Sequence, residues 1–284
     1  MFAPLRHEAV IGWAWEPSVL IGLALAAILY GLAAGPVLAR RPAGSSLPPW
    51  RVLCFYLGLT AIFVALVSPL DSLADGYLFS AHMAQHLLLM MVAVPLMMLG
   101  IPRWMYAWGI WRGWPRRALG WATRPVPAFL IFNTTLAMWH LPRLYGLALE
   151  NEGVHILQHM MLLVGAGIGW WPVLGHFPSA APRPSPGVQV LYLFLQGFPA
   201  TALAALITLA PNPLYAFYVE APRVWGISPD VDQMWSGLLM WMPGAMVYLA
   251  AATVIFLRWF ADDGAPEREA SRGANISDAE VMHG

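Results

Sequence analysis

Five histidines at helical spacing are the residues of this sequence best suited to chemistry. They form two pairs four residues apart and one single residue: His82 and His86, His155 and His159, and His140. Residues i and i+4 project from one face of an α-helix, and imidazole is the commonest metal ligand in proteins. The pattern predicts an all-imidazole site for copper, zinc or iron. The single cysteine, Cys54, excludes an internal disulfide and a multi-thiolate zinc site.

Three readings of the histidines stay open at this point. Met83 and Met90 lie on the same helix as the first pair, and thioethers favour Cu(I), although methionine at helical spacing is more often core filling. Two histidines on different helices could instead clamp a haem iron. In the third reading the histidines have only a structural role and join helices through a polar network. Its other members would be Asp71, Gln85, Gln158, Asp232 and Gln233.

The composition indicates a membrane protein. Of 284 residues, 59% are hydrophobic and 11% are charged, and none is lysine. The mean hydropathy is +0.61, and runs of about 20 apolar residues are typical of membrane-spanning helices. The zero net charge argues against a nucleic-acid partner. We expect no cleaved signal peptide, because a basic start followed directly by a short apolar core is absent from the first residues.

The chain is predicted to be an all-α polytopic membrane protein with a bundle of seven transmembrane helices. The expected spans are 17–39, 51–69, 78–101, 126–146, 153–174, 188–210 and 233–259. They divide the chain into a periplasmic segment at 1–16, a membrane domain at 17–260 and a disordered cytoplasmic tail at 261–284. Prolines inside three spans, Pro95, Pro199 and Pro243, predict local bends.

The arginines predict the orientation of the bundle. With the N-terminus outside, three arginines face outside, Arg6, Arg143 and Arg223, and the other twelve face the cytoplasm. This bias follows the positive-inside rule and predicts an N-out, C-in topology. The segment at about 102–125 is rich in tryptophan and arginine and is expected to lie at the cytoplasmic membrane interface.

This topology brings the five histidines to one depth. The third and fifth spans would enter from outside shortly before His82 and His155, and the fourth would end shortly after His140. All five would then lie within about two helical turns of the outer surface. Ionisable groups inside a membrane are costly, so their clustering indicates a functional site.

Four stretches of the sequence carry a resemblance to a known family. In chain order they are SPLDSLADGYLFSAHMAQHLLLMMVAVPLMMLGIP, WHLPRLYGLALEN, HILQHMMLLVGAGIGWWPVLG and DQMWSGLLMWMPG. Over about residues 66–259 the chain resembles the CtaG-type assembly factors of bacterial caa-type cytochrome c oxidase. The motif positions that match are the five histidines, Asp232 and Gln233. Relatives commonly have an acidic residue where this chain has Gln158.

The resemblance implies a role in oxidase maturation. It implies a protein of the bacterial inner membrane that is not an enzyme, with oxidase subunits and the lipid bilayer as partners. Copper is the implied cofactor, delivered as a metallochaperone delivers it, and haem is the weaker alternative. The expected ligands are the five histidines, supported by Asp71, Asp232, Gln233 and Gln158, with Met83 and Met90 as candidate soft ligands. The oligomeric state is left open.

Overall fold

The part of the chain that the computed structural model describes is helical throughout. It comprises residues 12–35, 47–106, 113–175, 183–223 and 225–263. Six of its helices are long and apolar enough to cross a bilayer: Pro17–Ala34, Pro49–Val67, Phe79–Gly100, Glu152–Leu174, Pro186–Leu209 and Pro229–Asp262. The predicted class of an all-helical membrane protein is confirmed for these residues.

The helices are numbered here in chain order. The long ones are α1 (Pro17–Ala34), α2 (Pro49–Val67), α8 (Pro125–Trp139), α10 (Glu152–Leu174), α11 (Pro186–Leu209) and α13 (Pro229–Asp263). The third span has three parts, α4 (Phe79–Leu87), a π-helix (Leu88–Ala93) and α5 (Val94–Gly100). The short helices are α3 (Pro69–Gly76), α6 (Arg103–Tyr106), α7 (Trp114–Ala122), α9 (Pro142–Glu150) and α12 (Ala216–Glu220).

The π-helix in the third span follows from a proline and a tryptophan. In a π-helix each N–H bonds to the carbonyl five residues earlier, so the carbonyl of Met90 would be served by residue 95. That residue is Pro95, which has no N–H. The indole Nε1 of Trp170, on α10, donates to the Met90 carbonyl instead, at 3.1 Å. The third span is therefore not one regular α-helix, as expected for an interior proline.

The fourth predicted span, 126–146, is broken near its end. The helix α8 ends at Trp139, His140 caps it, and Leu141 is extended before the next helix begins at Pro142. Proline disfavours helical backbone in the residue before it, and this accounts for the break. The 15 residues of α8 extend about 22 Å at 1.5 Å per residue, less than the roughly 30 Å of a hydrocarbon core.

Three short helices, α3, α9 and α12, form a layer over one end of the bundle, here called the capping layer. Buried tyrosines hold it together: the Tyr218 hydroxyl donates to the Ala74 carbonyl at 2.9 Å and lies 3.4 Å from the Tyr145 hydroxyl. The Tyr215 hydroxyl, just before α12, donates to the His140 carbonyl at 2.9 Å. The capping layer is therefore tied to the end of α8.

The helices α11 and α13 pack closely along their length. A Cβ at Gly237 would lie 2.8 Å from the Ala204 carbonyl oxygen and would also meet the Thr208 side chain, so only glycine permits this approach. Pro199 and Pro243 lie inside α11 and α13, which stay helical through them. Bending at these two prolines remains a prediction.

Some predictions concern residues outside the described part. These are the other three histidines, His7, His176 and His283, most of the 1–16 segment, positions 107–112 of the interfacial segment, and positions 264–284 of the tail.

Candidate metal centre: a buried histidine cluster

The histidine pairs lie in the first two turns of two helices whose starts are capped by side chains. Asp232, from the start of α13, accepts hydrogen bonds from the amides of Phe79 and Ser80 at 2.7 and 3.0 Å. Asn151 accepts one from the Val154 amide at 3.1 Å. Such caps satisfy amides that the first helical turn leaves unpaired. The two pairs are thus carried on well-defined helix ends.

Four imidazoles from α4 and α10 meet in one cluster: His82, His86, His155 and His159. The Nε2 atoms of His82 and His86 lie 3.0 Å apart. Across the helices, the ring centroids of His82 and His155 are 5.6 Å apart, and those of His86 and His159 are 5.2 Å apart. One ring nitrogen from each of His82, His155 and His159 falls within 4.8 Å of the others. These four rings can therefore face one small guest.

Burial leaves the cluster with unpaired nitrogens. His82 is 0% exposed and His86 is 2% exposed. Within the described part, the Nδ1 atoms of His82 and His86 and the Nε2 atoms of His155 and His159 have no hydrogen-bond partner. Buried polar atoms in folded proteins are nearly always paired, so each such atom calls for an explanation. A cation bound at the cluster would supply one.

His140 stands beside the cluster rather than in the group of four. Its Nδ1 donates to the Leu136 carbonyl at 2.7 Å, which leaves the lone pair on Nε2, and that buried atom has no described partner. The ring is 6.4 Å from Tyr145, centroid to centroid, and Tyr145 is 5.2 Å from His82. His140 keeps a predicted role as a fifth imidazole.

A carboxylate that the sequence did not single out stands behind one imidazole. Asp75 Oδ2, on α3, lies 3.6 Å from Nδ1 of His155. A carboxylate behind a histidine orients the ring and directs its other nitrogen toward a metal. Asp75 lies near the end of α3, and the backbone leaves the helical conformation at Tyr77 and Leu78 before α4 begins, so the helical periodicity around His82 did not point to it. Its side chain is 40% exposed, so the cluster is accessible from the surface on the side of Asp75.

A second carboxylate anchors the capping layer. The amide of Gln85, between the two histidines of α4, donates to Asp71 Oδ1 at 2.7 Å and to the Ala65 carbonyl at 3.0 Å. Burial, followed by the charge of Asp75, raises the pKa of Asp71 from 3.8 to about 7. Burial alone raises the pKa of Asp75 to about 7. Asp71 thus supports the cluster through Gln85.

Of the other polar residues expected behind the ligands, Asp232 and Gln233 make their hydrogen bonds in the described part to backbone groups. Both oxygens of Asp232 accept the α4 amides, as described above. Gln233 accepts from the Leu214 amide at 2.7 Å and donates to the Asn212 carbonyl at 3.2 Å. Gln158 is buried, and its Oε1 has no partner in the described part. Asp232 and Gln233 therefore position the start of α13 rather than the rings.

The two methionines proposed as soft ligands are both buried in the core. Met83 packs with Phe79 and the capping-layer tyrosines. Met90 packs in the central core, one turn further along the same helix face than His86. Both therefore belong to the apolar packing of the described part.

The cluster fits one small metal ion. The Nε2 atoms of His82 and His86 are at hydrogen-bonding distance from each other, 3.0 Å. The nitrogens that could close on one ion are those of His82, His155 and His159, which lie within 4.8 Å of one another. The wider spacing to the α10 rings can close by rotation about χ2, which is a soft torsion in histidine. The close contacts among the four rings favour a single ion over a porphyrin.

The chain is similar to several mycobacterial proteins. The chain is 27% identical to uncharacterized proteins of Mycobacterium bovis and Mycobacterium tuberculosis over 94% of its length. It is also 27% identical to an uncharacterized protein of Mycobacterium leprae over 88% of its length. It spans about 42% of the length of the first two relatives and 40% of the third. No solved structure matches it.

Residues 28–262 match the family of cytochrome c oxidase caa3 assembly factors. That match covers most of the chain and includes His140 and the four histidines of the cluster, as the resemblance of the four sequence stretches had indicated. The chain therefore belongs to the cytochrome c oxidase caa3 assembly factor family.

Proposed function

We propose that this protein assists the assembly of a haem–copper cytochrome c oxidase by holding Cu(I) as cargo and passing it to an oxidase subunit. The observation that carries the proposal is the meeting of four imidazoles, two buried and two partly buried, each with a buried nitrogen that has no hydrogen-bond partner in the described part. Imidazole binds copper well, and the family assembles an oxidase. The protein acts by binding and ligand exchange rather than by catalysis.

Transfer needs a site that a partner can reach. His82 and His86 are fully enclosed, whereas His155 and its neighbour Asp75 have side chains that are 14% and 40% exposed. Cu(I) would therefore enter and leave past His155. Incoming ligands of the partner can replace the imidazoles one at a time, so no change of oxidation state is needed.

Seven crossings with the histidine cluster outside are part of the proposal. The starts of α4 and α13 are joined through Asp232, and the starts of α4 and α10 meet in the cluster. The third span, α4 and α5, leads away from the end of the bundle that holds the cluster, and α10 begins at that same end. The chain must therefore cross the bundle once more between α5 and α10, and α8 is the helix that makes this crossing. The bias of twelve arginines to three supports the cluster end as the periplasmic face of a bacterial inner membrane.

The decisive experiment removes one imidazole from each helix. We expect His86→Ala with His159→Ala to abolish Cu(I) binding by the purified protein and oxidase maturation in cells, while the protein still accumulates in the membrane. His7→Ala is the control, since it removes a histidine that belongs to neither of the two i, i+4 pairs in the sequence. Unchanged copper binding and unchanged oxidase activity in the double variant would favour a purely structural role for the histidines. Loss of a Soret band rather than of copper would indicate haem.

A further inference from the structure

A small cavity lies in the core one helical turn beyond the histidine cluster. Its volume is about 30 Å³, enough for a single water-sized guest. Residues of the third span, α8, α11 and α13 line it. The lining side chains include three methionines, Met90, Met91 and Met240, and one tryptophan, Trp241. The cavity is therefore lined by soft, polarisable groups.

The π-helix supplies two of the three methionines. Met90 and Met91 are consecutive residues of the π-helix and are 6% and 8% exposed. The register that places them there is held by the bond from Trp170 to the Met90 carbonyl. Short π-helical segments are uncommon and occur often at functional sites. Met240, from α13, also lines the cavity.

The cavity lies along the third span beyond the part that carries the histidines. His82, His86 and Met90 follow one another at intervals of four residues. The two histidines lie in α4, and Met90 lies in the π-helix that continues it. Along the third span, a thioether therefore follows the two imidazoles.

We infer that Met90, Met91 and Met240 form a second Cu(I) site, which receives the ion from the histidine cluster. Thioethers select Cu(I), whereas imidazole also suits zinc and iron. The two sites in series would therefore distinguish copper from other ions that reach the histidines. The face of the Trp241 indole adds an attraction for a bound cation. This inference rests on the proposed function for the supply of Cu(I).

The test combines stoichiometry with X-ray absorption spectroscopy on the full-length protein in detergent. With Cu(I) supplied anaerobically against a competing chelator, the wild-type protein should bind a second Cu(I) and show sulfur as well as nitrogen scattering. Met90→Leu with Met91→Leu and Met240→Leu should lose the second ion and the sulfur scattering and keep the nitrogen-bound ion. Leucine conserves volume, so the fold should tolerate the changes.

Two comparisons separate this inference from the proposed function. Met98→Leu, a buried methionine of the same core that does not line the cavity, should leave both ions bound. Suppose that, in the variant His86→Ala with His159→Ala, sulfur scattering persists although nitrogen-bound copper is lost. That result would support the methionine site and would contradict its loading from the histidine cluster. Wild-type spectra without sulfur, or full stoichiometry in the methionine variant, would overturn the second site. The wild-type spectra do not depend on any variant folding.

Discussion

At the scale of residues, Asp75 is the group whose role depends most on the tertiary structure. Its carboxylate lies 3.6 Å from Nδ1 of His155, and this arrangement directs Nε2 of His155 toward the other rings. Carboxylates in that position typically contribute a factor of about 10 to 100 in metal affinity. Asp75 would contribute to metal affinity in this way although it lies on α3, which carries none of the histidines.

We therefore expect Asp75→Asn to weaken Cu(I) binding about 10- to 100-fold in a chelator competition assay. The asparagine keeps the shape of the side chain and removes the negative charge behind His155. Asp230→Asn, at an exposed acid in the first turn of α13, should leave the affinity unchanged. Equal affinities for both variants would remove Asp75 from the site.

Asp71 predicts a dependence of stability on pH. Its pKa is raised from 3.8 to about 7 in the folded protein, so the folded state binds the proton more tightly than the unfolded state does. Stability from this group is fully present below about pH 4, falls as the pH rises through 7, and then levels off. Asp75 contributes in the same direction.

Thermal unfolding in detergent between pH 5 and 8 should therefore show a falling melting temperature for the wild-type protein. Asp71→Asn should flatten that slope, because asparagine imitates the protonated acid and its Oδ1 still accepts from Gln85. Asp71→Asn combined with Asp75→Asn should flatten it further. A slope that neither change alters would show that other groups set the pH dependence.

At the scale of elements, the interrupted third span shows how one missing N–H is compensated. Pro95 cannot serve the Met90 carbonyl, and the indole of Trp170 takes its place from a neighbouring helix. In a membrane no water is available to satisfy such a carbonyl, so a side chain from another helix must do so. The π-helix and α10 are thereby coupled.

Trp170→Phe should destabilise the protein by about 1–3 kcal/mol, because it leaves a buried carbonyl unpaired while keeping most of the ring. Trp139→Phe is the matched control: Trp139 is equally buried, and its Nε1 has no partner within the described part. Unfolding in detergent would measure both. A loss of the same size at Trp139 would indicate that ring volume, not the hydrogen bond, matters.

At the scale of the whole molecule, the close packing of α11 against α13 fixes the relative positions of the helices in the second half of the bundle. The backbone of Gly237 approaches the Ala204 carbonyl so closely that an added methyl group has no room. Because this contact lies within two turns of Asp232, which caps α4, a shift here would be passed to the helix that carries His82 and His86.

Gly237→Ala should therefore lower the melting temperature and weaken Cu(I) binding together. Gly22→Ala provides the comparison, since a Cβ at Gly22 in α1 meets nothing within 4 Å and alanine favours helix. We expect that variant to be neutral or slightly more stable. Equal behaviour of the two variants would show that α11 and α13 can move apart at no cost.

The orientation of the whole bundle is tested by reporter fusions. A periplasm-specific reporter fused after Gly264 should be inactive, and one inserted between α9 and α10, at Asn151, should be active. Activity of the Gly264 fusion would place the histidine cluster on the cytoplasmic side and contradict delivery from the outer face.

The sequence by itself determined the membrane class, most of the helix bounds and the two histidine pairs at i, i+4 spacing, because apolar length and residue spacing are local properties. It placed the end of α8 seven residues too late, because Pro142 reads as an ordinary residue of an apolar run until its effect on Leu141 is seen. Only the tertiary structure decided that Asp75 stands behind His155, that Asp232 caps α4, and that Met90, Met91 and Met240 share a cavity. These contacts join elements far apart in the chain, and nothing in local periodicity encodes which faces of separate helices meet.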